Sequence, residues 1–184
     1  LKAIEHMHRN GIFHRDIKPE NILLTGETVK LADLGSCRGL YQDQPLTEYI
    51  STRWYRAPEC LLTDGYYSYK MDIWGCVMYE VLSLCPLFPG DDQLDQINRI
   101  HSICGTPSDK ILEYFRKHAT HMEINFPPQK YKGFASKIPH VSPEGVDIMN
   151  KMLIYDKDER ATASQLVKHV YFKELRDFEQ QQIS

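Results

Sequence analysis

The sequence has no run that approaches the roughly 20 consecutive apolar residues of a membrane-spanning helix. It also lacks an excess of either charge, because 22 basic and 25 acidic residues give a formal net charge of -3. That balance argues against a surface for nucleic acid or anionic lipid. No secretory signal peptide is recognisable at the start. These absences predict a protein of the cytoplasm or the nucleus, without nucleic-acid or membrane partners.

Cysteines are few and irregularly placed. The five cysteines are an odd number and contain no C-x-x-C pair, a pattern that favours neither a disulfide framework nor a zinc site. We therefore expect a reduced, intracellular protein. The chain has 184 residues, of which 42% are hydrophobic and 26% charged, and this is long enough to enclose a substantial core.

Hydrophobic spacing predicts a mainly α-helical chain. The first ten residues have the apolar pattern of the last turns of a helix whose beginning is missing. Residues 22–24 and 29–32 read as two short strands of a hairpin. Residues 33–59 are predicted to form a long loop, and loops of that length are usually functional or disordered. From about residue 72 the pattern is helical.

Capping signals locate individual helices in the second half. Asp92 to Cys104 is predicted to form one amphipathic helix, and Ser142 begins another that runs to about residue 154. Thr162 and Gln165 form a capping box for the last predicted helix. Residues 108–140 are predicted to be irregular.

The most informative stretch combines an acid, a lysine and an asparagine ahead of the hairpin. Asp16 offers a carboxylate that can accept a proton from an attacking hydroxyl group, and Asn21 offers an amide oxygen for a hard cation. Asp33 follows the second strand, so the hairpin should bring it close to Asn21. Two oxygen ligands for Mg²⁺ beside a base are the minimum for phosphoryl transfer from a nucleotide, and Lys18 can offset phosphate charge.

Three motifs in this order resemble those of protein kinases. His14-Arg15-Asp16 with Asn21 is similar to the kinase catalytic loop, Asp33-Leu34-Gly35 to the D-F-G motif with Leu for Phe, and Ala57-Pro58-Glu59 to A-P-E. Thr47-Glu48-Tyr49 ahead of the last motif resembles the mitogen-activated protein kinases and their relatives in the CMGC group. The stretch 33–39 is typical of one branch of those relatives.

This resemblance implies a fold and a function. The expected fold is the mainly α C-terminal lobe of a protein kinase over residues 1–175, with a small active-site β-hairpin and a polar segment at 176–184. The implied reaction is transfer of the γ-phosphate of ATP, with Mg²⁺, to Ser or Thr of protein substrates.

The resemblance also assigns roles at the centre of the reaction. Asp16 is the expected catalytic base, Lys18 the residue that stabilises the phosphate, and Thr52 the bridge between them. Asn21 and Asp33 are the expected Mg²⁺ ligands. The floor under the adenine ring of ATP is assigned to Leu23.

A second set of roles concerns regulation. Thr47 and Tyr49 are expected to be phosphorylated, by an upstream activating kinase or by autophosphorylation, and Arg15 to receive a phosphate. Arg53 and Arg56 are expected to bind phosphotyrosine or to position substrate. The alternative is that the tripeptide is an ordinary solvated loop and these arginines are surface charges.

The remaining roles are structural. Asp72 is expected to brace the backbone of the catalytic loop, and Glu59 to pair with Arg160. The other histidines show no ligand spacing and are predicted to have no functional role: His8, His101, His118, His121 and His169.

Part of the kinase pattern does not occur in these 184 residues. The sequence contains no glycine-rich phosphate loop and no V-A-I-K lysine, the elements that cover and grip the phosphates of ATP. The expectation is therefore a truncated chain without activity of its own. The alternative is a non-catalytic lobe that binds substrates or regulators and competes with a full-length kinase.

The region after Asp72 also departs from the kinase pattern. The family has two small or apolar residues between the tryptophan and the glycine that follow this aspartate, whereas here Gly75 comes directly after Trp74. Removing two helical residues rotates the remainder of the helix by about 200°, at about 100° per residue. Either the helix slides or Asp72 is displaced, unless a helix buried on all sides tolerates the rotation.

Overall fold

A computed structural model describes residues 1–43, 45–46 and 52–183. The α-helices in this part of the chain are α1 (Lys2–Arg9), α2 (Pro58–Leu62), α3 (Cys76–Ser83), α4 (Gln93–Cys104), α5 (Asp109–His118), α6 (Pro143–Met152), α7 (Ala163–Val167) and α8 (Lys173–Ile183). The strands are β1 (Ile12–Phe13), β2 (Ile22–Thr25), β3 (Thr28–Leu31) and β4 (Arg38–Gly39). The mainly α fold with a small hairpin is confirmed.

The strands form two antiparallel pairs that flank the polar stretch 14–21. In the hairpin, Ile22 of β2 lies opposite Leu31 of β3, and Thr25 lies opposite Thr28 at the turn. β1 pairs with β4 through Phe13 and Arg38. The polar stretch is therefore fixed at both ends by backbone pairing, which limits the positions that its side chains can adopt.

Capping chemistry explains where the predicted helices begin. The Ser142 side chain accepts from the Gly145 backbone ahead of α6, and Thr162 forms a capping box with Gln165 ahead of α7. α4 begins after Asp92 as predicted, because the Asp92 carboxylate accepts from the Asp95 N–H. α7 is not the last helix, since α8 follows it, and the predicted boundary at residue 175 lies within α8.

Two predictions about irregular segments were wrong in part. The range 108–140 contains helix α5, which buries Leu112 and Phe115 at helical spacing in the main hydrophobic core. The range 33–59 contains strand β4, which forms because it pairs with β1. The local sequence pattern shows neither the core against which α5 packs nor the strand with which β4 pairs.

The chain absorbs the shortened sequence after Asp72 by breaking the helix. Tyr69–Ile73 forms a 3₁₀-helix, Trp74 has an extended ψ of 111°, and α3 begins only at Cys76. Because the helix is interrupted at Trp74, the direction of α3 no longer determines the position of Asp72. The predicted rotation of about 200° in the residues after the break therefore does not displace the aspartate. Of the two alternatives raised by the sequence, a change in the helix is observed, and Asp72 still contacts the backbone of His14 and Arg15.

Two hydrophobic clusters support the polar stretch from below. The larger contains Phe13, directly before His14, and aromatic side chains such as Trp74 and Phe88. The smaller joins Ile4 of α1 to Ile73 and to buried residues of α6 and α7. The polar stretch therefore rests on tightly packed elements rather than on loops.

His101 of α4 is a buried polar side chain without a partner. It is 1% exposed, and neither ring nitrogen has a hydrogen-bond partner within the described part of the chain. The ring packs edge-on against Phe126, with 5.0 Å between the centroids. Burial lowers the pKa of His101 from 6.5 to about 4, because the charged imidazolium would lose its hydration.

We expect His101 to make the fold sensitive to acid. The unfolded chain binds a proton near pH 6.5 and the folded chain only near pH 4, so stability is complete above about 6.5 and falls towards 4. The total loss is about 3 kcal/mol. Urea unfolding at about pH 7 and about pH 5 should show a flatter pH dependence for His101→Leu than for the unmodified chain. His6→Ala serves as a control with an exposed histidine, and equal slopes for the unmodified chain and His101→Leu would contradict the prediction.

Candidate active site

Asp72 holds the backbone of the polar stretch in position. Its carboxylate accepts hydrogen bonds from the backbone N–H of His14 at 2.8 Å and of Arg15 at 2.7 Å. Arg15 has a φ of 74°, a conformation that L-residues rarely adopt. The two charge-assisted hydrogen bonds stabilise this turn, which places Asp16 directly beyond it.

His8 is a further contributor that sequence reasoning missed. Its Nε2 lies 2.9 Å from Asp72 Oδ2, and its ring contacts Tyr69 edge-on. The prediction that His8 has no functional role stays a prediction, but α1 brings it to a carboxylate 64 positions later in the sequence, which gives it a structural contact. No spacing within the local sequence reveals such a contact.

His14 connects the polar stretch to the end of the hairpin. Its Nε2 lies 2.9 Å from the carbonyl oxygen of Ala32, and the backbone N–H of Asp16 donates to its Nδ1 at 3.2 Å. The ring is fully buried. Nδ1 therefore acts as the acceptor and Nε2 carries the proton, so a neutral imidazole joins the Asp16 backbone to the residue before Asp33.

Asp16 lies between a cation and an amide donor. Its Oδ2 is 2.8 Å from Lys18 Nζ and accepts from Asn21 Nδ2 at 2.9 Å. Asp16 is 6% exposed, so these contacts act in a partly desolvated environment, where charge interactions are stronger than in water. The arrangement favours an ionised carboxylate with a fixed orientation, as a general base requires.

Asn21 and Asp33 lie at the same end of the hairpin. The carbonyl oxygen of Asn21 accepts from the Ala32 N–H at 2.8 Å, which brings Asn21 next to the residue that precedes Asp33. The Asn21 amide nitrogen donates to Asp16, so the amide oxygen is the atom that it can offer to a cation. Asp33 is exposed, with a left-handed φ of 60°. These oxygen donors fit a hard divalent ion such as Mg²⁺.

The two remaining residues assigned to the reaction are less constrained. Leu23 is 51% exposed on β2, opposite Lys30, and presents an apolar side chain beside the polar stretch. Thr52 lines a cavity of about 20 Å³ together with Asp16 and Trp74. Thr52 and Asp16 thus face the same small cavity.

The regulatory arginines lie around the same region. The Arg15 guanidinium stands 5.6 Å from the ring centroid of Tyr67, and Arg15 Nη1 donates to the carbonyl oxygen of Ser36. Arg56 lines a second cavity of about 140 Å³ that also includes Tyr67. Arg53 is exposed at the start of a short 3₁₀-helix.

Arg38 is a cation of this region that sequence reasoning did not select. Burial raises the pKa of the Cys37 thiol, and the positive charges of Arg15 and Arg38 oppose that increase, so both guanidinium groups act on the same thiol. Arg38 lies five residues after Asp33, and this position is the sequence signal that could have drawn attention to the arginine. The phosphorylation sites assigned to Thr47 and Tyr49 lie outside the described residues.

Glu59 and Arg160 form a buried ion pair beneath the site. Arg160 Nη1 and Nη2 donate to the two carboxylate oxygens of Glu59 at 2.7 and 2.8 Å, and both side chains are at most 1% exposed. Arg160 also donates to the carbonyl oxygens of Ile154 and Lys70. This bidentate pair ties α2, just after the arginine-rich segment, to the segment that precedes α7.

Taken together, the geometry provides a buried carboxylate, a cation beside it and a pair of oxygen donors on one edge of a helical body. The same features define protein kinases. The chain belongs to that family, because the family model of the protein kinase domain matches its residues 1–172.

The chain is similar to particular kinases over nearly its whole length. It is 55% identical over 180 residues to the MAPK/MAK/MRK overlapping kinase of Homo sapiens, which covers 97% of this chain and 43% of that protein. The protein of the same name from Mus musculus is 54% identical, over 100% of this chain and 44% of its own length. The human serine/threonine-protein kinase MAK is 43% identical over 94% of this chain and 28% of its own length. These relatives confirm the branch that residues 33–39 predicted.

The chain thus spans less than half the length of those relatives. Within the described residues, no helix combines the length and the apolar character needed to cross a membrane.

Proposed function

We propose that this chain carries the catalytic base, the metal ligands and the substrate-facing surface of a Ser/Thr protein kinase that transfers the γ-phosphate of ATP to proteins. The observation that carries the proposal is the buried Asp16 carboxylate, held at once by Lys18 and Asn21. An acid restrained on both sides in this way suits a base that must receive a proton from a hydroxyl group.

In the proposed reaction, Asp16 orients the substrate hydroxyl and accepts its proton as the oxygen attacks the γ-phosphorus. The bond from that phosphorus to the bridging oxygen breaks, and ADP leaves. Lys18 contributes a positive charge beside that carboxylate and offsets the negative charge of the transferring phosphoryl group. His14 and Asp72 keep the backbone of Asp16 still, so that the carboxylate does not reorganise during the reaction.

Asn21 and Asp33 would hold Mg²⁺. When bound, this ion neutralises phosphate charge and aligns the phosphates. The chain's contribution is to fix the amide oxygen of Asn21 through its hydrogen bonds to Asp16, and to place Asp33 beyond Ala32 at the end of β3. The exposed Leu23 supplies an apolar surface that suits the adenine ring.

Activity of the 184 residues alone is a separate question. Positioning provides most of phosphoryl-transfer catalysis, and these residues include neither the glycine-rich loop nor the V-A-I-K lysine. The polypeptide by itself should therefore not transfer phosphate, whereas a chimera with the preceding residues of the human relative placed before Leu1 should do so.

An assay with radiolabelled ATP and a general protein substrate tests both statements. The chimera should label serine or threonine in a Mg²⁺-dependent manner, and the 184-residue polypeptide should remain at background. A folded chimera without transfer would contradict the proposed function. Transfer by the polypeptide alone that disappears in Asp16→Asn would contradict the proposed dependence on the preceding residues.

A second candidate function is that of a non-catalytic binding lobe. It is supported by the apolar side chains that the hairpin exposes, Leu24 at 73% and Val29 at 65%. A lobe of this kind would compete with a full-length kinase for substrates. The same chimera distinguishes the two candidates, because the binding function requires no transfer.

We also propose that phosphorylation of Thr47 and Tyr49 switches the enzyme on. Support comes from the cations around Tyr67. Burial raises the pKa of Tyr67, and the charges of Arg15 and Arg38 oppose that increase. Arg56 lines the same cavity as Tyr67. A phosphate carries a charge of about −1.5 to −2 and orders a loop around arginines. Arg38 joins Arg15 as a proposed phosphate ligand.

In the chimera, Thr47→Ala combined with Tyr49→Phe should lower activity by at least about tenfold, because the segment would lack the phosphates that order it. The matched control is Thr28→Ala with Tyr41→Phe, which removes the same groups from exposed positions that are not proposed to be phosphorylated. Full activity of the double variant would show that other contacts order the segment.

A further inference from the structure

The short loop between α2 and the 3₁₀-helix at residues 69–73 is held by the segment that follows α5. The Asp64 carboxylate accepts hydrogen bonds from the Thr120 backbone N–H at 2.6 Å, from the Thr120 hydroxyl group and from His121 Nδ1. The Asp64 backbone N–H donates to the carbonyl oxygen of His118 at 2.8 Å. Asp64 thus connects this loop to His118, Thr120 and His121.

On its other side, the same loop holds Leu46, which belongs to the stretch 33–59, here called the activation segment. The carbonyl oxygen of Gly65 accepts from the Leu46 N–H at 3.0 Å, and a Cβ atom at position 65 would overlap the Leu46 carbonyl oxygen. Gly65 also has a φ of +84°. Only glycine therefore permits this approach, and Leu46 directly precedes Thr47.

Other contacts make the loop a stiff connector. Thr63 Oγ1 donates to the carbonyl oxygen of Glu59 at 2.6 Å and accepts from the Tyr66 N–H. The Tyr114 hydroxyl group of α5 donates to the carbonyl oxygen of Tyr66 at 3.0 Å. These contacts fix the residues on either side of Asp64 and Gly65, so a short, stiff stretch of backbone joins the two positions.

Hydrogen bonds from Thr120 and His121 lower the pKa of the Asp64 carboxyl group, although burial partly opposes them. The carboxylate is therefore ionised at neutral pH, and its hydrogen bonds are of the stronger, charge-assisted kind.

We propose that Asp64 is a positioning residue that couples the segment 118–121 to the activation segment, by fixing the loop on which Leu46 is held. The inference rests on the proposed function only in taking the residues after Leu46 as regulatory. Displacement of Thr120 and His121, by a partner or by substitution, releases Gly65 and with it the anchor of Leu46.

Hydrogen exchange in the 184-residue chain tests the coupling without any catalytic readout. In Asp64→Ala, amides of both 118–121 and 40–46 should exchange faster, with Leu46 accelerated by about tenfold or more. The matched control is Asp147→Ala, which removes another surface aspartate paired with a histidine, His169, far from this loop. It should leave both segments unchanged.

Two further variants keep the test decisive. Gly65→Ala breaks the anchor directly, so it should accelerate exchange of 40–46 most strongly, and because coupling is reciprocal it should also accelerate exchange of 118–121 to a smaller extent. Thr120→Val removes one hydroxyl contact and perturbs folding least, so it should reproduce the effect of Asp64→Ala in weaker form. Faster exchange at 118–121 with unchanged exchange at 40–46, in Asp64→Ala or in Thr120→Val, would overturn the proposal. Failure of phosphate transfer by the chimera would leave the coupling untouched, so the two can be told apart.

Discussion

Replacement of Asp33 by alanine should lower phosphate transfer by the chimera at least about 1000-fold, a change of roughly 4 kcal/mol in the activation barrier. The expectation follows from the donor set at the end of the hairpin. The Asn21 amide offers a neutral oxygen, because its nitrogen donates to Asp16, and the negative charge of the proposed Mg²⁺ site therefore comes from the carboxylate of Asp33. Without that carboxylate, the phosphates lose both their counter-charge and their alignment.

Steady-state kinetics of the chimera with radiolabelled ATP provide the measurement. Glu27→Ala is the matched control, because it removes an exposed carboxylate from the turn of the same hairpin, and it should retain full activity. The Mg²⁺ concentration for half-maximal activity should rise in Asp33→Asn, which keeps one oxygen donor. Activity of Asp33→Ala within about tenfold of the unmodified chimera, or roughly 1.4 kcal/mol, would rule out the metal assignment.

The largest effect on stability is expected at the buried pair of Glu59 and Arg160. Glu59→Ala leaves the guanidinium of Arg160 fully buried with no carboxylate, and loss of one partner of such a pair costs about 3–5 kcal/mol. Since domains are stable by only about 5–15 kcal/mol, this single change should leave the chain close to unfolding. Urea titration followed by circular dichroism measures the change.

A double-mutant cycle separates the pair from its surroundings. Glu59→Met combined with Arg160→Met replaces both charges by apolar groups, and this should cost less than either single change because no buried charge is left uncompensated. A residual loss is expected from the hydrogen bonds of Arg160 to Ile154 and Lys70. Additive effects of the single changes would show that the pair is not coupled. The surface pair of Asp147 and Lys151 provides the control, where removal should cost about 0–1 kcal/mol.

The sequence alone determined the class of protein and the place of its candidate site. Asp16, Lys18, Asn21 and Asp33 could be selected because phosphoryl transfer requires particular side chains at short, fixed separations along the chain. The hairpin and the starts of α4, α6 and α7 could be predicted for a similar reason, since apolar period and capping residues act over a few positions.

Only the tertiary structure decided the features that depend on distant partners. Helix α5 gains its stability by burying Leu112 and Phe115 in the main core, and β4 exists because β1 is available to pair with it. His8 acquires a structural contact only because α1 brings it to Asp72.

The region of Trp74 shows most clearly which features local sequence determines and which depend on distant contacts. The sequence revealed that two residues are missing relative to the kinase pattern, but it left open whether the helix or Asp72 would move. Hydrogen bonds from His14 and Arg15 hold the Asp72 carboxylate, whereas the backbone at Trp74 and Gly75 can leave the helix. The helix is interrupted while Asp72 keeps its long-range contacts, and the energies of those contacts are set by the packed fold rather than by local sequence.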